Sequence, residues 1–319
     1  MYDTDSNSYK NGIPKQYYYL KDYDFKEWEI PPWDVHIDKS KCIGEGAFGK
    51  AFVAKWRGTP IVAKVANQSL SEDDKLQLIQ EFEQMTKLHH PNVVQLLGYI
   101  RNPFVILIEY FPNGNLEMYL KKNKLDIQKK IEISIDILRA IAYMHNRKPQ
   151  YLIHRDIKKT NILVNSHGKI KISDFGLSRM IYNRNQSNLS ENQSDYINLN
   201  SDLTVNVGTY RYMAPEILLS NNYTEKIDIW SCGIVLYELF ENTKFIIPDL
   251  TSYKTSLQND TFEPMFNITP QNIQFIIKQY MLQSKPHNRA SAKTLIINFE
   301  NELPCQTVNK SSTSCCCFY

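Results

Sequence analysis

The chain has 319 residues, 42% of them apolar and 22% charged, with a formal net charge of +3. That length accommodates one large or two modest domains with a sizeable core, and the apolar share is that of an ordinary globular protein. So small a net charge provides no field to gather nucleic acid or an anionic membrane surface, and no nucleic-acid partner is expected.

The first residues, Met1 to Asn7, are polar and acidic and lack the basic and apolar regions of a signal peptide. The most apolar stretch, Ile227 to Phe240, is interrupted by Asp228 and Glu238. It falls short of the roughly 20 apolar residues that cross a bilayer, so a buried helix is predicted. Of the six cysteines, Cys42 and Cys232 stand alone, while Cys305 and Cys315 to Cys317 sit at the far end. That spacing is neither a disulfide framework nor a zinc site, and a cytoplasmic protein is expected.

In chain order, residues 1–36 are rich in Tyr, Asp and Lys and include Pro31-Pro32. They read as an extended arm whose aromatics Tyr17 to Tyr19, Trp28 and Trp33 are candidates to pack on the domain. From 37 to 110 the signal is mostly β: Cys42-Ile43, Ala51 to Val53, Ile61 to Val65 and Phe104 to Ile108. One helix interrupts it at Glu72 to Leu88, capped by Ser71, with Leu76, Ile79, Phe82 and Met85 predicted on its buried face. After Pro112-Asn113-Gly114 the pattern turns helical. Ile127, Ile131, Ile135, Leu138 and Ala142 mark an amphipathic helix ending near Met144, and further helices are predicted at Thr224 to Phe240 and Gln271 to Leu282. The predicted fold class is α+β, with a small β-rich lobe at 37–110 and a larger helical lobe at 111–303. A tract rich in Asn and Ser at about 182–206 has too little apolar area to offset ordering entropy, so a loop is expected there. Residues 304–319 form a tail with the cysteine cluster.

The most informative stretch is His154-Arg155-Asp156-Ile157-Lys158-Lys159-Thr160-Asn161, followed by Asp174-Phe175-Gly176. It holds a base, a lysine able to meet a phosphate, and oxygen ligands of the kind that suit Mg²⁺. Gly44-Glu45-Gly46-Ala47-Phe48-Gly49 is a G-x-G-x-x-G, shared in spacing with dinucleotide-binding turns. Strand-like sequence on both sides, and no helix after Gly49, favour a glycine hairpin instead. Lys64 lies in the apolar strand Ile61-Val62-Ala63-Lys64, where its charge needs a partner. Glu81 is the first choice. Glu83, the second, lies roughly 200° around the same helix at 3.6 residues per turn.

Taken together, these motifs resemble the catalytic, metal-binding and phosphate-binding loops of the protein-kinase family. The resemblance implies a bilobal kinase fold over roughly 37–303 and ATP and Mg²⁺ as cofactors, with Mn²⁺ as the alternative ion. It implies that ATP is held by Ile43, Gly44, Glu45, Gly46, Ala47, Phe48 and Gly49, with the Lys64–Glu81 pair on its α- and β-phosphates. The adenine would lie between Ala51, Val62 and Leu163, with backbone groups of Glu109 and Phe111 at its edge and Ile108 behind it. The family usually has Val and Ala where this chain has Ala51 and Val62. Total volume is kept, so a reshaped but filled pocket is expected. Asp156 would orient the substrate hydroxyl, Lys158 would offset the charge of the moving phosphoryl group, and Asn161 and Asp174 would hold the metal. His154 and Phe175 would stack with Met85 and Leu96, tied to Asp228. Glu216 would pair with Arg289, beside Ala290 where the family usually has Pro.

Lys158 and Thr209 favour serine and threonine acceptors, and the style of Trp56 to Pro60 and Val207 to Tyr212 is most similar to the tyrosine-kinase-like (TKL) group of serine/threonine kinases. An ATP-dependent serine/threonine protein kinase acting on protein substrates is therefore expected. A pseudokinase scaffold and a dual-specificity kinase are the alternatives. Arg155 is available to a phosphate on Thr204 or Ser201, added by an upstream kinase or by trans-autophosphorylation. Membrane contact is expected only if Cys315 to Cys317 are lipidated: prenylation of Cys316, palmitoylation and an unmodified tail remain open.

Overall fold

The computed structural model describes residues 25–46, 48–67, 69–182, 210–219, 222–247 and 249–304, with short strand backbone at Tyr9–Lys10, Ile13–Pro14 and Ile197–Asn198. Ala47, Ser201, Thr204, Thr209, Tyr17 to Tyr19, Cys305 and Cys315 to Cys317 lie outside the described residues, as does most of the Asn/Ser-rich tract.

Five antiparallel strands form the first lobe: β1 (Val35–Gly46), β2 (Gly49–Trp56), β3 (Thr59–Ala66), β4 (Leu96–Ile100) and β5 (Val105–Glu109), in the order β1-β2-β3-β5-β4. Strand alternation splits this sheet into two apolar faces. Pairings Ala51↔Lys64, Val62↔Ile108 and Lys64↔Ile106 put these side chains on the face turned to the main core. Ala54, Ile61, Ala63, Val105 and Leu107 form a second, separate cluster on the other face.

That outer face is covered by a segment the sequence assigned to an arm. Ile30 inserts into the second cluster, its N–H donates to Tyr99 O at 2.8 Å, and Glu29 takes both Arg101 nitrogens at 3.0 and 2.7 Å. Phe25 meets Phe82 edge-on with ring centroids 5.1 Å apart. Gly98 permits this approach: a Cβ there would sit 2.6 Å from both Ile30 Cδ1 and Trp28 O. Phe25, Trp28 and Ile30 are thus packed on the lobe. Trp28 packs as expected, whereas Trp33 is 83% exposed.

Helix α1 (Glu72–Thr86) starts from a capping box in which Asp74 N–H donates to Ser71 Oγ and Ser71 N–H donates to Asp74 Oδ2, each at 3.2 Å. Replacing Ser71 by Ala is expected to lower unfolding free energy by about 1 kcal/mol, measured by denaturant titration. An unchanged midpoint would show that the cap is dispensable. Leu78, Ile79, Phe82 and Met85 are buried. Leu76 is not; it lies about 120° from Phe82 at 3.6 residues per turn and is exposed, which corrects the predicted face.

The second lobe is helical. Its helices are α2 (Leu116–Lys122), α3 (Ile127–His145), α4 (Pro215–Leu219), α5 (Lys226–Glu241), α6 (Leu250–Gln258), α7 (Gln271–Tyr280) and α8 (Ala292–Glu300). Short strands β6 (Gln150–Ile153), β7 (Ile162–Val164), β8 (Ile170–Ile172) and β9 (Arg179–Tyr182) pair as β7-β8 and β6-β9. Helix α3 is less amphipathic than predicted. It packs against α5 and α8, and Ile133, Ile137, Ala140 and Ile141 are buried beside the expected stripe. Every residue of α5 from Ile227 to Glu241 is buried, as befits a helix apolar all round. No helix among the described residues is long and apolar enough to cross a membrane.

Candidate active site

The site lies where the two lobes' loops converge, and each part is held by identifiable backbone physics. Strand β6 leads into the loop that carries His154, Arg155 and Asp156, of which His154 and Asp156 are buried. Arg155 has φ = 70°, a left-handed conformation that a bulky residue adopts only under constraint. The constraint is Asp228 from the buried helix α5. Its carboxylate accepts His154 N–H at 2.8 Å and Arg155 N–H at 2.9 Å, with His145 Nε2 at 2.8 Å on the same Oδ2. Burial pushes the Asp228 carboxyl up, but the His145 hydrogen bond and charge, helped by His154, hold it below the usual range. Ionised Asp228 therefore acts as a fixed acceptor that shapes the loop.

Beyond it, Asp156 Oδ2 accepts Lys158 Nζ and Asn161 Nδ2, each at 2.8 Å, and Asn161 Nδ2 also reaches Asp156 O at 3.0 Å. Asn161 O accepts Ser173 N–H at 2.8 Å and Ser173 Oγ at 3.0 Å, docking the Asp174 loop on the Asp156 loop. Asp174 is likewise left-handed, with φ = 69°. Phe175 is buried edge-on to His154 at 5.1 Å, in the cluster that also holds Met85 and Leu96. His154 Nε2 lies 3.1 Å from Ser173 O.

Across the cleft, Lys64 Nζ lies 2.7 Å from Glu81 Oε1. Glu83 instead pairs with Lys87 at 2.6 Å along the same helix. Burial alone would pull the Lys64 ammonium down. The carboxylates of Glu81 and Asp174 outweigh it and raise Lys64 above its ordinary value, so it stays charged. A Cβ placed on Gly176 would lie 3.6 Å from Asp174 Oδ1, 3.7 Å from Glu81 Oε2 and 3.8 Å from Phe48 Cε2. Glycine turn, α1 and Asp174 loop thus meet at one point.

The glycines of the turn differ in purpose. A Cβ on Gly49 would sit 2.0 Å from Val65 O, so glycine there is demanded by close strand packing. At Gly46 a Cβ would meet nothing within 4 Å, which leaves the backbone open to an incoming group. Ile43 is exposed, and Glu45 pairs with Lys50 at 3.2 Å. Val62 and Ile108 are buried, while Ala51 and Leu163 are half-buried against the same core, so the exchanged small and large side chains leave a filled wall. Glu109 Oε1 is held by Gln95 N–H at 2.7 Å and Lys171 Nζ at 2.6 Å; Phe111 O accepts Gly114 N–H at 3.0 Å.

The donor set suits a hard divalent ion. Asn161 Nδ2 is committed to Asp156, which leaves its amide oxygen as the ligating end, and Asp174 adds a carboxylate.

Further from the cleft, Arg289 Nη1 and Nη2 meet Glu216 Oε1 and Oε2 at 2.7 and 2.8 Å in a buried fork. Arg289 also donates to the carbonyls of Gln283, Lys226 and Ser284 and stacks over Trp230 at 5.0 Å. Ala290 N–H donates to Tyr280 O at 2.9 Å, a bond that proline at this position is unable to make. Sequence reading missed a second buried pair, Lys159 with Glu238 at 2.9 Å, to which Tyr212 OH adds at 2.8 Å. The only sequence signal for it is the doubled lysine Lys158-Lys159.

Comparison with known proteins agrees with this geometry. The model of the protein kinase domain matches residues 37–298. Serine/threonine-protein kinase VIK of Arabidopsis thaliana is 38% identical over 224 residues, 67% of this chain and 48% of that protein. Integrin-linked protein kinase 1 of the same plant is 34% identical over 227 residues, 70% of this chain and 45% of that protein. A probable serine/threonine-protein kinase of Dictyostelium discoideum is 31% identical over 291 residues, 88% of this chain and 29% of that protein. This chain spans about half the length of the first two relatives. By its residues, its two-lobed α+β fold and this match, the chain belongs to the protein kinase domain family.

Proposed function

We propose that this chain is an active protein kinase that transfers the γ-phosphoryl group of ATP to serine or threonine hydroxyls of protein substrates. The observation that carries the reading is the convergence of Lys64, Glu81 and Asp174. Three elements distant in sequence bring a charged lysine, its 2.7 Å carboxylate partner and a metal-type carboxylate to one point. Phosphoryl transfer asks mainly for positioning and charge neutralisation, which this arrangement supplies.

In this reading Lys64, steadied by Glu81, binds the α- and β-phosphates, and the open backbone at Gly46 admits them. Asn161 and Asp174 hold Mg²⁺, whose chemistry when bound is to neutralise the charge of the phosphate oxygens. Lys158 and Asn161 both donate to Asp156 Oδ2, which leaves Oδ1 to accept from an incoming hydroxyl. Asp156 accepts that hydroxyl's proton as the new oxygen–phosphorus bond forms and the bond to the ADP oxygen breaks. Lys158, tied to Asp156 at 2.8 Å, offsets the charge developing on the phosphoryl group.

A pseudokinase scaffold normally lacks one of the lysine, the base or the metal aspartate; this chain keeps Lys64, Asp156 and Asp174. Lys158 and the relatives named as serine/threonine kinases support a serine or threonine acceptor and a TKL-type assignment. A phosphate on Thr204 or Ser201, read by Arg155, is the regulation we propose on sequence grounds.

The test is transfer of labelled γ-phosphate to a generic protein substrate, with phosphoamino-acid analysis of the product. Wild-type protein is expected to give phosphoserine or phosphothreonine, and Asp174→Ala to give neither. Equal, negligible transfer by both proteins would favour the scaffold, and phosphotyrosine would favour dual specificity.

A further inference from the structure

The Lys64–Glu81 pair depends on how α1 is turned, and a segment outside the kinase-domain match touches that helix. The match begins at residue 37. Before it, the chain makes a turn at Lys26–Trp28, closed by Trp28 N–H on Phe25 O at 2.9 Å and by Glu29 N–H on Lys26 O at 3.1 Å. Glu29 then lies in a parallel bridge with Tyr99 of the edge strand β4, where Arg101 Nη2 also donates to Tyr99 OH at 3.0 Å. Together with the Arg101–Glu29 fork and the Ile30 N–H bond to Tyr99 O, these ties fix where Phe25 sits.

Phe25 sits against Phe82. That ring is 0% exposed and meets three others edge-on, Phe25 at 5.1 Å, Tyr99 at 5.0 Å and Phe104 at 6.4 Å between centroids. Tyr99 lies on β4 and Phe104 just before β5, so the sheet side supplies two rings and the leading segment the third. Phe82 follows Glu81 directly, about 100° around the helix. Side chains so placed on a rigid helix turn together: a rotation that takes Phe82 from its partners takes Glu81 from Lys64. Gln84, about 60° the other way round from Glu81, donates to Ser178 O at 3.2 Å and ties α1 to the segment after Gly176. Glu81 is thus bracketed by a polar tie on one side and an aromatic one on the other.

We propose that Phe25, from outside the matched kinase domain, is a positioning residue: through Phe82 it holds α1 in the rotation that keeps Glu81 on Lys64. The proposal rests on the kinase reading, in which that pair meets the α- and β-phosphates. Losing the ring lowers the fraction of molecules with the pair formed, and nucleotide affinity falls with that fraction. A ring that only covers the lobe would stabilise the fold without reaching the nucleotide.

The test uses the full chain. Binding of a non-hydrolysable ATP analogue with Mg²⁺ is followed by calorimetric titration, beside kcat/KM on a protein substrate. Phe25→Ala is expected to weaken binding and lower kcat/KM by roughly three- to tenfold, the factor an aromatic pair supplies, and Phe25→Tyr to restore both. In a Glu81→Gln background the same Phe25→Ala change is expected to move the dissociation constant by less than about twofold, because the pair it supports is already broken. Should Phe25→Ala fail to fold, Phe25→Leu takes its place in the same cycle. An equal loss in both backgrounds shows that Phe25 does not act through Glu81 and overturns the proposal. So does an unchanged dissociation constant in the Glu81 background, with the kinase reading left standing. Wild-type protein that neither binds the analogue nor transfers phosphate overturns both.

Discussion

Asp156→Asn is expected to lower kcat by about 10²–10⁴-fold with little change in KM for ATP. The amide keeps the size of the carboxylate but removes its charge and its ability to take a proton. It also disturbs the local pattern, since Lys158 and Asn161 both donate to Oδ2 and an amide nitrogen turned toward them would offer a donor to donors. Initial-rate kinetics on a protein substrate check this, with thermal unfolding run in parallel to separate lost chemistry from lost fold. A kcat within tenfold of wild type would show that Asp156 does not assist the hydroxyl.

The second large effect is on stability. Arg289→Met is expected to cost about 3–5 kcal/mol, enough to lower Tm by roughly 10 °C. The fork to Glu216 is buried on both sides, and its loss strands a carboxylate that is 8% exposed. Three carbonyls, those of Gln283, Lys226 and Ser284, lose their donor as well. The double substitution Glu216→Gln, Arg289→Met removes the stranded charge and is expected to recover part of the loss. Calorimetry of these two variants and of the single Glu216→Gln measures this. If the double variant were less stable than the wild type by the sum of the two single costs, the pair would not be coupled.

Much of the site was legible before any coordinates. Asp156, Lys158, Asn161 and Asp174 sit in two short windows, and local motifs of that kind survive a reading residue by residue. The choice of Glu81 over Glu83 needed only helical phase, and Glu83 is indeed turned to Lys87. Ser71 as the start of α1 followed from side-chain chemistry within four residues. The same phase argument failed at Leu76 because apolarity was read without asking which stripe the sheet would cover. Strand β4 was missed, and of the docked segment only Trp28 was anticipated, for a related reason. Neither is visible until Gly98, Tyr99 and Arg101 are seen facing Trp28, Glu29 and Ile30 across some seventy positions.

Sequence by itself thus determined the family, the two-lobed order of strands and helices, and the residue types of the two loops that form the candidate site. These are short-range properties: periodicity, turn chemistry and the spacing of groups that must share one loop. Only the tertiary structure decided which charges are neutralised by which partners. Gly49 proved to be required by Val65 packing, Ala290 used the N–H that proline lacks, and Lys159 was found buried on Glu238. Each depends on two segments approaching within hydrogen-bond or van der Waals distance, and burial then makes the partner obligatory. No local pattern encodes that approach; the packing of the whole core does.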